Sequence, residues 1–219
     1  MLAELGEVAD WLDAYLRIGD IEDYPGALNG LQVESRGPIG KVGAATDAAQ
    51  ATIDAAADAG CDLLLVHHGL FWGDPAPVTG AAYRRLRRLF EADMALYAAH
   101  LPLDVHEEVG NNALLAGALG LTVDGRFGRY RSLEGIGVLA SLDLAREHLL
   151  GRVADECGTE PQLIPGGPVR VRRVAIVTGA AGSLIGDAVE AGADTLVTGE
   201  GAHHTYHEAL EAGINVIYA

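Results

Sequence analysis

An internal repeat constrains the fold of this chain more than any other feature of its sequence. Residues 42–68 align without gaps to residues 174–200, and residues 91–99 align to 211–219 at a shorter offset. Each longer copy reads as an apolar strand, an alanine-rich segment of helical character, an Ala-Gly step, an aspartate and a second apolar strand. Strand–helix–strand units of this kind build parallel sheets. The sequence therefore predicts an α/β protein made of two related, internally duplicated units.

Cap and turn residues mark the ends of the repeated helix. Asp47 and Gln50 have the spacing of a capping box, in which Asp47 caps the first turn and Gln50 reaches back to it. Gly60 and Gly192 fall where the carboxyl end of a helix favours a left-handed residue. Both copies are thus predicted to close their helix in the same way.

The repeat suggests three segments. We predict a first α/β unit over residues 1–121, an inserted segment over 122–172 that packs near a sheet edge, and a second α/β unit over 173–219. Apolar residues at helical spacing predict an amphipathic helix over residues 5–16. The second unit stops directly after its last predicted strand, so we expect a C-terminal tail that completes this unit to be missing from the sequence.

Histidines follow two of the predicted strands. His67 and His68 come directly after the apolar run 61–66, and His100 and Asp104 follow the run 95–99. In an open α/β sheet, ligands bind beyond the carboxyl ends of the strands. Histidine with carboxylate suits zinc, manganese or ferrous iron better than calcium or magnesium. The sequence therefore predicts a metal site at this edge.

The number of ions and the role of the remaining histidines depend on local geometry. Successive strand residues point to opposite faces, so we predict that His67 and His68 bind one ion each, with Asp104 between the ions. The alternative is that both imidazoles merely end a strand and hydrogen-bond to the backbone. A third group is interpreted as cleft-lining, as a separate ion site or as surface residues, and is not assigned to the metal: His203, His204 and His207.

Composition narrows the class of partner and the compartment. The chain has 15 basic and 31 acidic residues, a net charge of −16, which disfavours binding to a nucleic-acid backbone and suits solubility in a salty, halophilic cytoplasm. Cys61 and Cys157 are the only cysteines, too few for a disulfide framework or a zinc knot. The amino terminus lacks a signal-peptide pattern, and no apolar run reaches the ~20 residues that span a bilayer. We expect a cytoplasmic protein without a membrane partner.

Five short motifs are spread over nearly the whole chain. They are 29–34 (NGLQVE), 66–72 (VHHGLFW), 100–106 (HLPLDVH), 110–112 (GNN) and 198–200 (TGE). Together they resemble one known family, the NIF-three-like proteins, also called dinuclear metal-centre hexameric proteins or GTP cyclohydrolase 1 type 2 homologs. The resemblance implies two intertwined α/β units with mixed sheets, and a homo-oligomer in the form of a toroidal hexamer whose metal sites face an internal cavity.

Carried over by position, the resemblance implies that His67, His68 and Asp104 bind two divalent ions, with Asp104 bridging them and His100 at or beside the site. It implies a metal-dependent hydrolase that acts on a nucleotide or similar heterocycle. In such an enzyme, a hydroxide held on the metals attacks a ring carbon such as C8 of GTP, with His100 or Glu200 moving protons. Two alternatives remain open: a non-catalytic metal-binding scaffold, chaperone or regulatory protein, and a dimetal phosphoesterase.

Overall fold

The chain forms two compact units that divide between Leu103 and Asp104. The computed structural model describes residues 2–219, and none of the helices in this range is long and apolar enough to cross a membrane. The division differs from the predicted boundaries at 121 and 172. Strands from the predicted inserted segment, 122–172, pair with strands of the predicted second unit in a single sheet. The segment is therefore part of the second unit.

The first unit is a four-stranded sheet with helices on both faces. Strands β2, β3 and β4 are parallel, β1 runs antiparallel to β4, and the order across the sheet is β1-β4-β3-β2. In chain order the elements are α1 (Leu5–Leu16), β1 (Gly30–Val33), β2 (Val42–Asp47), α2 (Gln50–Asp58), β3 (Leu63–His68), α3 (Gly80–Glu91) and β4 (Ala95–Ala98), followed by the short helix α4 (Leu101–Asp104), which reaches the division.

Side chains on alternate strand positions supply two separate cores in the first unit. The predicted amphipathic helix is confirmed as α1, whose apolar residues pack with Leu63 and Tyr97 on one face of the sheet. Helices α2 and α3 cover the other face, where Ile53 and Leu89 pack with Leu64. Because both faces are covered, the central strands β3 and β4 read as almost continuous apolar runs.

The second unit is a six-stranded mixed sheet. Its order is β5-β6-β8-β9-β10-β7, in which β8, β9 and β10 are parallel and the outer pairings are antiparallel. In chain order the elements are α5 (Asn111–Ala118), β5 (Val123–Tyr130), β6 (Leu133–Ala145), α6 (Arg146–Cys157), β7 (Gln162–Pro165), β8 (Arg170–Ile176), a 3-10 turn (Gly182–Leu184), α7 (Ile185–Glu190), β9 (Thr195–Thr198), α8 (Thr205–Ala212) and β10 (Asn215–Tyr218). The predicted α/β class with mixed sheets is confirmed in both units.

Strand registers confirm that the sequence repeat is a structural repeat. In each unit three consecutive parallel strands pair at equivalent residues, shifted by the same offsets that align the sequence. The equivalent pairs are Val42 with Leu63 and Leu63 with Ala95 in the first unit, and Val174 with Thr195 and Thr195 with Asn215 in the second. The duplication therefore extends to the backbone hydrogen bonds.

One aspartate in each copy of the repeat accepts hydrogen bonds from two backbone N–H groups at equivalent positions. The Asp62 carboxylate accepts hydrogen bonds from the backbone N–H groups of Gly40 and Lys41. The Asp194 carboxylate accepts the equivalent bonds from Arg172 and Arg173. Charge-assisted bonds to backbone N–H groups are stronger than neutral ones, which explains why this aspartate is common to both copies.

The left-handed residues predicted after the repeated helices are confirmed. Gly60 has a φ of 69° and Gly192 a φ of 79°, a region in which an L side chain is strained. A Cβ added at Gly60 would meet no heavy atom within 4 Å. The glycine is thus required by backbone conformation and not by crowding.

We expect Gly60→Ala to lower the free energy of unfolding by about 1 kcal/mol, because an alanine is strained in the left-handed backbone conformation of this position. Gly151 is the matched control: it lies inside α6, and a Cβ there also meets open space. Gly151→Ala should raise the free energy of unfolding by about 0.5 kcal/mol, since glycine weakens helix interiors. Urea unfolding of both variants measures the difference, and a shift of the same sign in both would contradict the conformational explanation.

Candidate metal centre

Parallel pairing brings the histidines of the first unit to one edge of its sheet. Strand β3 ends with His67 and His68, and β4 is followed by Ala99 and His100. The two strands are parallel neighbours in register, with Val66 opposite Ala98. Their carboxyl ends therefore lie side by side at the edge where ligands bind in sheets of this type.

His67, His68 and His100 form one cluster. One ligand nitrogen from each imidazole lies within 4.8 Å of the other two. Ring centroids are 4.5 Å apart for His67 and His68, 4.8 Å for His67 and His100, and 5.5 Å for His68 and His100. The prediction that His67 and His68 point to opposite faces is wrong, because these rings lean toward the two neighbouring strands at the point where the strand ends.

Each imidazole of the cluster is held through its Nδ1 atom by an oxygen acceptor. The pairs are His67 with the Ala99 carbonyl at 3.0 Å, His68 with Asp47 Oδ1 at 2.7 Å, and His100 with Asp23 Oδ1 at 2.8 Å. A carbonyl or a carboxylate only accepts, so Nδ1 carries the hydrogen and Nε2 of the neutral ring carries the lone pair. Metal-binding histidines are oriented in this way by their outer partners.

Asp23 is the buried anchor of the cluster. Its side chain is only 5% exposed and that of His100 only 13%. Besides His100 Nδ1, the carboxylate accepts bonds from Asn29 Nδ2 at 2.8 Å and from the Leu101 N–H at 3.0 Å. Burial acts to raise the pKa of Asp23, but the hydrogen bonds from His100, Asn29 and the Tyr24 backbone outweigh it and lower the pKa below its ordinary value.

Asp47 is the exposed anchor, and its role differs from the predicted one. Helix α2 begins after Ala49, with no side-chain cap, and Gln50 donates to Asp54 instead of reaching back. Asp47 is the last residue of β2 and pairs with His68 in the parallel register. The capping-box prediction is therefore wrong, because the strand continues to Asp47 and directs its carboxylate to an imidazole.

The donor set fits a transition-metal ion. Three imidazoles whose Nε2 atoms carry lone pairs match the preference of zinc and iron for nitrogen ligands, while manganese would rely more on a carboxylate. Calcium and magnesium would require oxygen ligands in their place. The cluster could therefore hold a metal ion, and which metal it holds remains a prediction.

Trp72 adds an aromatic wall to the cluster. Its indole N–H donates to the Gly69 carbonyl at 3.0 Å. The ring lies edge-on to His100, with centroids 4.9 Å apart, and to His68, with centroids 5.9 Å apart.

Glycine is required at position 69, since a Cβ there would come within 2.7 Å of Ala98 and Gln32.

With this geometry established, comparison with known proteins identifies the family. The model of the Duf34/NIF3 (NGG1p interacting factor 3) family matches residues 3–219. The chain belongs to this family.

Relatives in the Duf34/NIF3 family share the whole length of the chain. Proteins of Deinococcus radiodurans and Archaeoglobus fulgidus, each called GTP cyclohydrolase 1 type 2 homolog, are 43% and 40% identical; the matches cover 97% and 98% of this chain and 81% and 85% of the relatives. A crystal structure of a Thermus thermophilus protein is 41% identical, with a TM-score of 0.86, and covers 98% of this chain and 85% of that one. The fold and the family resemblance are therefore confirmed.

Asp104, the carboxylate that the Duf34/NIF3 resemblance assigns to the metal, is the first residue of the second unit. It is 9% exposed. Its Oδ1 atom accepts a hydrogen bond from Asn111 Nδ2 at 2.7 Å and a longer one from Thr178 Oγ1 at 3.4 Å. A carboxylate with one oxygen fixed in this way is oriented, and its role as a metal ligand remains a prediction.

The histidines near α8 lie outside the metal-ligand group found among residues 2–219. His203 and His204 precede α8, and His207 lies in its first turn. All three are exposed. The rings of His203 and His207 are 6.4 Å apart, edge to face. This geometry favours the surface interpretation for His204 and His207, whereas His203 lines a cavity together with Glu200.

The sequence reasoning missed both carboxylates that orient imidazoles. Asp47 was visible at the end of a predicted strand, and the parallel pairing of β2 with β3 would have placed it beside His68. Asp23 lies in the loop between α1 and β1, far along the chain from His100 and without a motif of its own. Only the folded structure identifies it.

We expect Asp23→Asn to lower the free energy of unfolding by about 1–3 kcal/mol, because the new amide group faces buried donors that then lack an acceptor. Asp20→Asn is the control, since both side chains of the Asp20–Arg17 ion pair are exposed. Exposed ion pairs contribute little to the free energy of unfolding. Urea unfolding at neutral pH without added metal gives both values. Equal stabilities of the two variants would show that Asp23 is not a structural anchor.

Proposed function

We propose that His67, His68 and His100 bind a divalent transition-metal ion and that the protein is a metal-dependent hydrolase. The observation that carries the proposal is the convergence of three imidazoles whose Nδ1 atoms are each held by an oxygen acceptor. One ligand nitrogen of each ring lies within 4.8 Å of the other two, and the acceptors at Nδ1 hold the rings in place as they do in metal-binding histidines.

The residues of the chain have distinct proposed roles. His67, His68 and His100 supply nitrogen donors, while Asp23 and Asp47 hold two of these rings in place. We extend the ligand set to Asp104 from the family resemblance, and a second ion with it. When bound, a divalent metal supplies Lewis acidity and lowers the pKa of water.

The reaction we propose is hydrolytic opening of a heterocycle, with GTP as the first substrate to test. The relatives in Deinococcus radiodurans and Archaeoglobus fulgidus bear the name GTP cyclohydrolase 1 type 2 homolog, and this name supports the choice. A dimetal phosphoesterase and a non-catalytic metal-binding scaffold are the competing outcomes. We further propose that the protein works as a homo-oligomer, a hexamer, in the cytoplasm.

Metal binding is the first test. We expect the purified protein to retain zinc, iron or manganese after dialysis, and His68→Ala and His100→Ala to weaken metal binding by about 100-fold or more, since each removes a donor. Asp47→Asn should weaken it by roughly 10-fold, as outer partners of ligands do. Elemental analysis and competition with a chelator of known affinity give these values.

His148→Ala is the matched control for the metal measurements, because His148 is an exposed histidine on α6. Asp104→Ala tests the predicted carboxylate ligand in the same assay. Retention of full metal affinity by His68→Ala and His100→Ala would refute the metal centre. Loss of affinity in the His148 variant would show that the assay reports something other than this cluster.

Catalysis is a separate test. The metal-loaded protein should consume GTP with opening of the purine ring, detected as loss of the purine absorbance, and activity should disappear with chelator and return with added metal. The same samples are assayed with a generic phosphodiester. Turnover of the phosphodiester alone would identify a phosphoesterase, and stoichiometric metal without turnover of either compound would favour the scaffold.

A further inference from the structure

A cavity lies next to the histidine cluster within the first unit. It has a volume of about 450 Å³, within the range of roughly 300–1,000 Å³ typical of small-molecule sites. The loop that follows β3 and the first turns of α3 form most of its wall. Apolar lining residues are Leu28, Leu70, Phe71, Pro75, Val78 and Leu86. An apolar cavity of this size favours a ligand with a flat or compact apolar body.

Trp72 belongs to both the cavity and the cluster. Its ring lines the cavity, and it also contacts His68 and His100 edge-on. The bond from its indole N–H to Gly69 fixes the ring. A side chain of this kind offers a large flat surface at small loss of conformational entropy, and aromatic rings stack on it without a need for specific hydrogen bonds.

Arg85 is the cation of the cavity wall. Its side chain lines the cavity, and its Nη1 atom donates to the Ala48 carbonyl at 3.3 Å. Its Nε atom is buried and has no hydrogen-bond partner among the residues that the structure describes. Because Nε is covered by the protein, a ligand in the cavity meets the outer N–H groups of the guanidinium. A ligand that supplies an acceptor can pair with those groups, since Arg85 lines the cavity.

We propose that this cavity binds a planar heteroaromatic ring that stacks on Trp72 and presents a ring carbonyl to Arg85. The proposal rests on the proposed function, since it assigns the substrate class of the same site and places the ring beside the histidines. Arg85 is a specificity residue in this assignment. The carbonyl oxygen accepts a hydrogen bond from its guanidinium, and no covalent step involves it.

A neutral carbonyl fits the wall better than a phosphate does. Desolvation of a phosphate among these apolar side chains is costly unless several donors surround it, and Asp74 on the same wall repels an anion. Arg85 has already committed one N–H to Ala48. A ring carbonyl needs only one or two donors, and the net charge of −16 does not oppose a neutral group.

The test uses ligand binding and not turnover. The chain has two tryptophans, so Trp11→Phe leaves Trp72 as the only indole reporter. This protein is titrated with inosine, which has a ring carbonyl, and with purine riboside, which lacks it, with excitation at the red edge of the indole band where neither purine absorbs. We expect saturable quenching by inosine, binding of purine riboside about tenfold weaker, and no quenching by ribose.

Two substitutions in the same background assign the role of Arg85. Arg85→Met should weaken inosine binding about tenfold and leave purine riboside unchanged, while Arg85→Lys tests whether charge alone suffices and should recover only part of the affinity. Arg84→Met is the matched control, since Arg84 is the exposed neighbour on α3 outside the cavity wall, and it should bind as the parent does. Thermal melting checks that each variant is folded.

The outcomes separate this proposal from the metal-dependent hydrolase. No quenching by inosine, or equal affinities for inosine and purine riboside in the parent protein, overturns the assigned ligand and leaves the metal measurements untouched. Selective inosine binding that persists with chelator supports the cavity, even if the turnover assay fails and the hydrolase is rejected. An Arg85→Met variant that is folded and still prefers inosine tenfold overturns the role of Arg85.

Discussion

The candidate site depends on the parallel pairing of β3 with β4. Both strands are buried in the middle of their sheet, and their register is fixed by apolar side chains on two faces. A slip of one residue would exchange the two faces and expose the core. The same register determines that the residues after Val66 and after Ala98 emerge side by side. The position of the three imidazoles thus follows from the burial of the apolar residues that precede them on β3 and β4.

Two different kinds of anchor hold the rings once the strands have placed them. Asp23 is buried and its carboxylate accepts four hydrogen bonds, which connect the loop before β1 to the start of α4. Asp47 is exposed, and its bond to His68 competes with water. We infer that His100 is the rigid member of the cluster and that His68 is the adaptable one.

Sequence reasoning identified the repeat, the strands that end in histidine and the left-handed glycines, because each of these depends on local pattern. It placed Asp47 in a helix cap, since capping-box spacing and a strand end compete for the same residue and only tertiary pairing decides between them. It also separated His67 from His68 by strand alternation, which holds inside a strand and fails at its last residues. The role of Asp23 could not be predicted from the sequence, because contacts between loops that are distant along the chain leave no periodic pattern. The antiparallel pairing of β6 with β8, which joins residues 122–172 to the repeated strands of the second sheet, is likewise a long-range contact without a periodic signal.

The equivalent registers of the two units have an evolutionary consequence. Position 68 carries an imidazole in one copy and position 200 a carboxylate in the other, yet the backbone pairing leading to them is the same. In the second copy the side chain of Thr198, the last residue of β9, donates through Oγ1 to the Gly179 carbonyl at 2.9 Å. The strand ends of a duplicated sheet can therefore carry different side chains on the same backbone pairing. Point substitutions at these positions change the polar groups at the edge of the sheet without a new topology.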